Sequence, residues 1–270
     1  MAHVHTPLNL VCDDADDVCV WSEMKREATI YAQKEVALSS LLHATVLAQE
    51  DLGSALVNHL AQKLSSDDFS ALKLRTVLAE AVESDPTLVP CIARDLQAVK
   101  QRDPACHSHL QCFLYFKGFL AIQTHRCAHA LYKSGRDLVA YHLQSRSSEL
   151  FGVDINPAAE IGCGIMLDHA TGFVMGETAR IGDDCSILQG VTLGGTGKAE
   201  EDRHPKIGDR VLIGANASVL GNIIIGNGAK IAAGSVVLKA VPENCTVAGV
   251  PAKPVGGSCG DPAAAMDQCL

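Results

Sequence analysis

From Val18 to about Leu150 the apolar residues recur at intervals of three and four, as in Leu52, Leu56, Leu60 and Leu64 or Leu74, Val77, Leu78 and Val82. This spacing predicts helices that bury one face. Breaks fall at Ser39-Ser40, Ser65 to Asp68, Asp85-Pro86, Arg102-Asp103-Pro104 and Ser134-Gly135, where caps and a proline suited to a first helical turn predict about seven helices. Phe113 to Tyr132 is apolar enough to form one central helix.

After Phe151 the period changes to six. Ile155, Ile161, Leu167, Phe173, Ile181, Ile187, Leu193, Ile207, Ile213, Val219, Ile225, Ile231 and Val237 fall in one column, all aliphatic or Phe. Glycine follows the column residue at Gly162, Gly182, Gly194, Gly208, Gly214 and Gly226, as expected where a chain turns a corner every six residues. Such repeats predict a parallel β-helix with three short strands per turn and one column side chain per strand filling a narrow prism. Leu193 to Ile207 is two residues longer than two hexads, and Gly194 to Lys206 is too polar for the coil, so it is expected to protrude as a loop. The predicted fold class is α+β: residues 1–17 form an acidic disordered tail, 18–150 an all-helical domain that serves oligomerisation, 151–255 the β-helix, and 256–270 a flexible tail rich in Gly, Ala and Pro.

Composition narrows the function classes. The chain of 270 residues is 47% hydrophobic and 20% charged, which excludes wholesale disorder. A net charge of −9 argues against a nucleic-acid partner, whose phosphates call for Lys and Arg. The longest apolar runs are too short to span a membrane, and the first twenty residues carry four Asp without Lys or Arg, unlike a signal or transit peptide; the location read from this is cytoplasmic. The cysteines contain no CxxC pair, so they read as reduced small hydrophobes rather than a disulfide framework or zinc site.

Only His169 and His204 of the histidines lie in the β-helical half. His169 sits on an outward position two after the column residue Leu167, and Asp154 precedes it by nearly one turn, close enough for a carboxylate on the adjacent coil to orient an imidazole base. Neither a GxSxG elbow, a phosphate-binding glycine-lysine loop nor HExxH occurs, and His125 with His129 reads as helix packing rather than a metal pair.

Several segments, Val153-Asp-Ile-Asn-Pro157, Gly164-Ile-Met-Leu-Asp-His-Ala-Thr-Gly172, Gly176-Glu-Thr178, Gly190 to Lys198, Asp202-Arg-His-Pro-Lys-Ile207 and Ala248-Gly-Val-Pro-Ala252, together resemble the serine O-acetyltransferases of cysteine biosynthesis over about residues 20 to 257. The resemblance implies a left-handed β-helix, trimers paired through their helical halves into a dimer of trimers, and an active site between adjacent β-helices. It further implies acetyl-CoA as cosubstrate, L-serine as acceptor, direct attack without an acyl-enzyme, no metal, and feedback inhibition by L-cysteine. Carried over residue by residue, His169 is the general base with Asp154 its partner, Asp103, Asp168 and Arg203 hold the amino acid's charges, and His204 lies near the reacting group. Coenzyme A is expected along the groove between coils, near Gly195, Ala215, Ala232 and Ala233, with Lys230 and Lys253 toward its phosphates.

Two departures stand out: Asn156 occupies a position where the family often has His, and the chain ends in Leu270, where the family's terminal Ile docks into cysteine synthase. A γ-branched end fits a pocket shaped for Ile less well, which argues against that complex. The competing readings are a hexapeptide acetyltransferase for another hydroxyl acceptor, a carbonic-anhydrase-like metalloenzyme, for which the two histidines are too few, and a non-catalytic regulator that binds cysteine synthase.

Overall fold

In a computed structural model, which describes residues 17–197, 200–256 and 260–268, the helical spacing resolves into eight α-helices before the first strand. These are α1 (Asp17–Lys34), α2 (Val36–Leu42, continued by a π turn over His43–Leu47), α3 (Leu52–Leu64), α4 (Ala71–Ser84), α5 (Leu88–Arg102), α6 (His109–Tyr115), α7 (Lys117–Lys133) and α8 (Asp137–Phe151). Two expectations are corrected. The Ser39-Ser40 pair does not break the chain, because α2 runs through it and the interruption falls at Glu35. The single central helix expected from Phe113 to Tyr132 is divided at Phe116, whose extended backbone (φ −80°, ψ 105°) redirects the chain. That turn lets α7 start against the β-helix, where Gly118 meets the backbone of Leu167. The Asp51 carboxylate caps α3 by accepting the Ser54 N–H at 2.7 Å, and Gly152 (φ 67°) ends α8 in the left-handed conformation that turns the chain into the first strand.

The period of six becomes coils of three strands each. The first holds β1 (Val153–Ile155), β2 (Glu160–Ile161) and β3 (Met166–Leu167); the second β4 (Phe173–Met175), β5 (Arg180–Ile181) and β6 (Ser186–Ile187); the third β7 (Thr192–Gly194), β8 (Lys206–Ile207) and β9 (Leu212–Ile213); the fourth β10 (Ser218–Leu220), β11 (Ile224–Ile225) and β12 (Lys230–Ile231). β13 (Val236–Val237), β14 (Thr246–Gly249) and β15 (Ala252–Gly256) close the solenoid. Pairing is parallel down each of three faces: β1-β4-β7-β10-β13, then β2-β5-β8-β11, then β3-β6-β9-β12-β14, to which β15 adds antiparallel. Column residues stack in register, Ile161 on Ile181 on Ile207 on Ile225, and Leu167 on Ile187 on Ile213 on Ile231.

One break in the column is informative. Ile155 pairs with Met175 rather than Phe173, since β1 and β4 each bury two residues. Leu167 to Met175 therefore spans eight positions where Ile187 to Leu193 and Ile213 to Val219 span six. The two extra residues fall at the corner Asp168 to Gly172, where His169 (φ 54°) and Ala170 (φ 60°) are left-handed in addition to Gly172 (φ 81°). The matching corners of the later coils carry one such residue each, Gly190, Asn216 and Gly234. A left-handed non-glycine costs about 1–2 kcal/mol, so the His169 corner is held open by its surroundings.

The helices dock on the first two coils through charged groups reaching backbone. Asp95 on α5, fully buried, accepts bonds from Arg126 Nε (3.1 Å) and Nη2 (2.9 Å), Gln123 Nε2 (2.8 Å) and the Ile165 N–H (2.8 Å), while Arg126 also donates to the Ile161 and Gly162 carbonyls. Arg102, the last residue of α5, donates to the Gly164 and Cys185 carbonyls and to Ser186 Oγ.

Two further findings concern the cysteines and the tail. Cys91 and Cys163 are joined by a disulfide across the helix–coil boundary, 72 residues apart, and Cys19 is also disulfide-bonded, so the expectation of reduced thiols fails for these three, while Cys106, Cys112, Cys127, Cys185 and Cys245 are free. Sequence spacing holds no trace of a proximity that arises only when α5 docks. Within the tail, Pro262–Ala265 form a short helix, α9, whose Ala263 is buried and accepts a bond from Ser186 Oγ (2.9 Å). Residues 1–16, Lys198, Cys259 and Leu270 lie outside the described residues. No described helix is long and apolar enough to cross a membrane.

Burial also sets the acid stability. It holds the imidazoles of His59 and His109 at about 4 and that of His125 at about 3, against an ordinary 6.5. Below pH 6.5 the unfolded chain takes up protons that the folded chain refuses, so stability present above that pH is lost as pH falls toward these depressed values. Differential scanning calorimetry should show a thermal midpoint that declines steadily from pH 6.5 to 4, and a flat profile would contradict this reading.

Candidate active site

The C-terminal end of α5, the N-terminal end of α7 and the His169 corner enclose a cavity of about 530 Å³ lined by Asp103, Gln111, Lys117, Asp168 and His169 among others. Gly118 is what allows this approach, because a Cβ there would lie 1.8 Å from the Leu167 carbonyl oxygen. Lys117, beside it, donates to Thr171 Oγ1 of the same corner.

Asp103 caps the end of α5, and its Oδ1 accepts the Ala105 N–H at 2.8 Å. Burial raises the Asp168 carboxyl above the usual carboxylate range, the charge of Asp103 adds to that, and the His169 imidazole opposes it. Two carboxylates thus converge on one cavity beside an imidazole whose Nε2 lies 3.6 Å from Asp168 Oδ2 and whose side chain is 74% exposed. Such a set offers a cation subsite next to a solvent-accessible base.

Asp154 lies on the outer face of β1 and accepts a bond from Gln144 Nε2 of α8 at 2.7 Å. Within the chain its partner is therefore Gln144, and the charged neighbour of His169 is Asp168.

Arg203 and His204 are elsewhere. His169 occupies the corner between β3 and β4, whereas the loop carrying Arg203 and His204 leaves after β7 and returns at β8. These are opposite edges of the β1-β4-β7-β10-β13 face, so one chain does not bring them together. On its edge, His204 is buried over Gly176, where a Cβ would lie 2.0 Å from Nε2. Its Nδ1 accepts the Thr178 N–H at 3.2 Å and faces Thr178 Oγ1 at 2.9 Å. A backbone N–H only donates, so the proton of this imidazole is on Nε2. Burial, and then the Arg203 charge, lower its basicity, in keeping with a ring whose Nδ1 accepts and whose Nε2 is left to donate. Arg203 Nη2 reaches Glu177 Oε2 at 2.7 Å.

Gly195 packs against the Arg203 backbone. Ala215, Ala232 and Ala233 fall on the corners below His169, along the same edge of the prism. Lys230 is buried one position before the inward Ile231, and Lys253 is exposed on β15.

Sequence reasoning gave no role to Gln144, Glu177 or Thr178. Thr178 stands two residues before β5 and His204 two before β8, so once the loop is closed out of the hexad count the two fall on successive coils of one face. That register was the available signal.

Two other features lack this convergence. A groove of about 650 Å³ beside α5, α7 and β2-β5-β8 contains Arg126, Arg180 and Lys206, which are paired with Asp95, Glu160 and Asp202. Among the described residues, Glu23, Glu27 and His109 alone cluster as a metal site would, yet the Lys100 ammonium sits 2.9 Å from Glu23 and supplies the positive charge there.

Comparison with known proteins agrees with this architecture. The family model described as serine acetyltransferase, N-terminal, matches residues 20–124, and that of the bacterial transferase hexapeptide (six repeats) matches residues 204–239. The serine acetyltransferase of Salmonella typhimurium is 54% identical over 250 residues, 92% of each chain. Among solved structures, a Neisseria gonorrhoeae serine acetyltransferase in complex with serine superposes with TM-score 0.87 at 53% identity, covering 93% of this chain and all of its own. A Brucella abortus serine acetyltransferase in complex with coenzyme A gives 0.88 at 51%, covering 89% of this chain and 96% of its own. A serine acetyltransferase complex with cysteine gives 0.93 at 49%, covering 94% of this chain and all of its own.

The close approach at Gly118 is testable. Gly118→Ala forces a methyl group into the Leu167 backbone and should lower stability by about 1–3 kcal/mol in urea unfolding, with the His169 corner displaced in a crystal structure. An unchanged unfolding midpoint would show that α7 does not bear on that corner.

Proposed function

The chain belongs to the serine acetyltransferase family, and from that premise we propose how its residues move the acetyl group of acetyl-CoA onto the hydroxyl of L-serine. It is an acyltransferase, with L-serine as acceptor and acetyl-CoA as donor. The observation that carries the mechanism is the meeting of Asp103, Asp168 and His169 in one cavity.

The serine ammonium sits between the two carboxylates, and its hydroxyl points at His169. The imidazole takes the hydroxyl proton as the oxygen attacks the thioester carbonyl, a step worth about 10²- to 10⁴-fold. Collapse of the tetrahedral adduct breaks the carbon–sulfur bond, and the imidazolium returns its proton to the departing thiolate. For the oxyanion charge the candidates are backbone N–H groups near Gly194 and Gly195, which stand on the loop edge and so reach this His169 from a second copy. Asp154 orients the imidazole in this scheme, with Gln144 holding one of its two carboxylate oxygens.

The serine carboxylate is met by Arg203, and His204 donates from Nε2, both from a second copy. Their place on the opposite edge of the same face supports this, since a copy packed along that face would set its loop against the neighbour's His169 corner. A closed trimer then has three shared sites. Ile30, Tyr31, Val36, Leu38 and Leu41, exposed on α1 and α2, supply an apolar surface for pairing trimers. Coenzyme A runs down the Ala215, Ala232 and Ala233 edge, with the exposed Lys253 toward its phosphates, whereas Lys230 is buried on β12 and does not take that role. L-cysteine differs from L-serine only in its nucleophilic atom and competes for the same charges; the cysteine-bound relative supports this. We place the reaction in the cytoplasm, as the first step of cysteine biosynthesis.

Following loss of thioester absorbance with serine tests the base. His169→Ala should lower kcat by about 10²- to 10⁴-fold while serine KM stays within a few-fold. Serine-dependent turnover within about 10-fold of the parent would remove His169 from the mechanism.

A further inference from the structure

We infer that Gln111 is a positioning residue for the amino-acid substrate, acting by bracing the loop that presents Asp103 to the cavity. The inference rests on Asp103 as a ligand of the serine ammonium.

The segment from Asp103 to Ser108 joins α5 to α6 and is pinned at both ends. Arg102 ties the end of α5 to the Gly164 and Cys185 carbonyls. At the other end Ser108 Oγ caps α6 by accepting the Gln111 N–H (3.0 Å), and the Glu27 carboxylate of α1 accepts the Leu110 N–H (2.9 Å). Between these anchors Pro104, Ala105 and His107 are exposed and only Cys106 turns inward, so packing does little to fix the middle.

The Gln111 side chain supplies what packing does not. Its Oε1 accepts the His107 N–H at 2.9 Å and its Nε2 donates to the Ala105 carbonyl at 3.2 Å. The Ala105 N–H in turn bonds Asp103 Oδ1 at 2.8 Å, which orients that carboxylate. A continuous hydrogen-bonded path thus runs from Gln111 through Ala105 to Asp103, and Gln111 and Asp103 line the same cavity. The path needs a donor and an acceptor on one planar group of this length. Glutamate keeps the acceptor but sets a carboxylate oxygen against the Ala105 carbonyl, and methionine keeps the length but offers neither bond.

Because Gln111 acts on ammonium binding and not on the reacting atoms, its loss should appear in serine KM and not in kcat. Gln111→Met should raise serine KM roughly 5- to 30-fold, with kcat at saturating serine and the acetyl-CoA KM within about 2-fold of the parent. Gln111→Glu, which keeps a polar group of the same size should the first variant fold poorly, should shift serine KM in the same direction. On an Asp103→Asn background Gln111→Met should add less than about 2-fold, since both act through one carboxylate. An unchanged serine KM in both Gln111 variants, a fall in kcat instead, or multiplying effects in the double variant would overturn the assignment. Asp103→Asn without effect on serine KM would instead overturn the role given to Asp103 itself.

Discussion

Asp95 has no exposed surface, and its carboxylate is shared among Arg126, Gln123 and the Ile165 N–H at the seam between the helices and the first coil. A buried charge left without its partner costs about 3–5 kcal/mol, so this seam has one strongly preferred arrangement. Arg126 extends the lock to the carbonyls of Ile161, the last residue of β2, and of Gly162, which follows it. The site depends on that registration. With α5 and α7 locked to the first coil, Asp103 at the end of one helix and Gly118 at the start of the other face the corner that carries His169.

The prism adds a second constraint. A coil that repeats every six residues places outward side chains at strand positions and corners in a fixed, repeating pattern. Both departures from the repeat carry chemistry: two extra residues push out the His169 corner, and the loop between β7 and β8 carries Arg203 and His204. They emerge on opposite edges of one face. A rigid solenoid cannot bend to join them, and this geometry underlies the proposal that neighbouring copies complete each other's sites.

Much of this was legible in the chain because a period of six is hard to mistake. Column residues identify the inward face, and the excess between Leu193 and Ile207 marks the loop. The excess at the His169 corner was masked, since Phe173 is itself apolar and fits the column, although its partner across the coil is Val153. Helix boundaries were less legible. Ser39-Ser40 has the composition of a break but lies inside α2, and the break at Phe116 is imposed by a tertiary approach to Leu167 that local sequence does not encode. Of the site residues, Asp103, Asp168 and His169 were placed together by resemblance and meet in one cavity. The tautomer of His204 and the link from Asp154 to Gln144 depend on which side chains face one another across 26 and 10 residues, which spacing alone did not reveal.

The central claim, a site shared between copies, is tested most directly by mixing two inactive variants, His169→Ala and Arg203→Ala, unfolding and reassembling them together. Each mixed assembly then contains sites that draw His169 from one copy and Arg203 from its neighbour. With random assembly of equal amounts, about one site in four is intact, so roughly a quarter of the parent activity should return. Recovery no greater than the sum of the two variants assayed alone would show that each chain builds its site by itself.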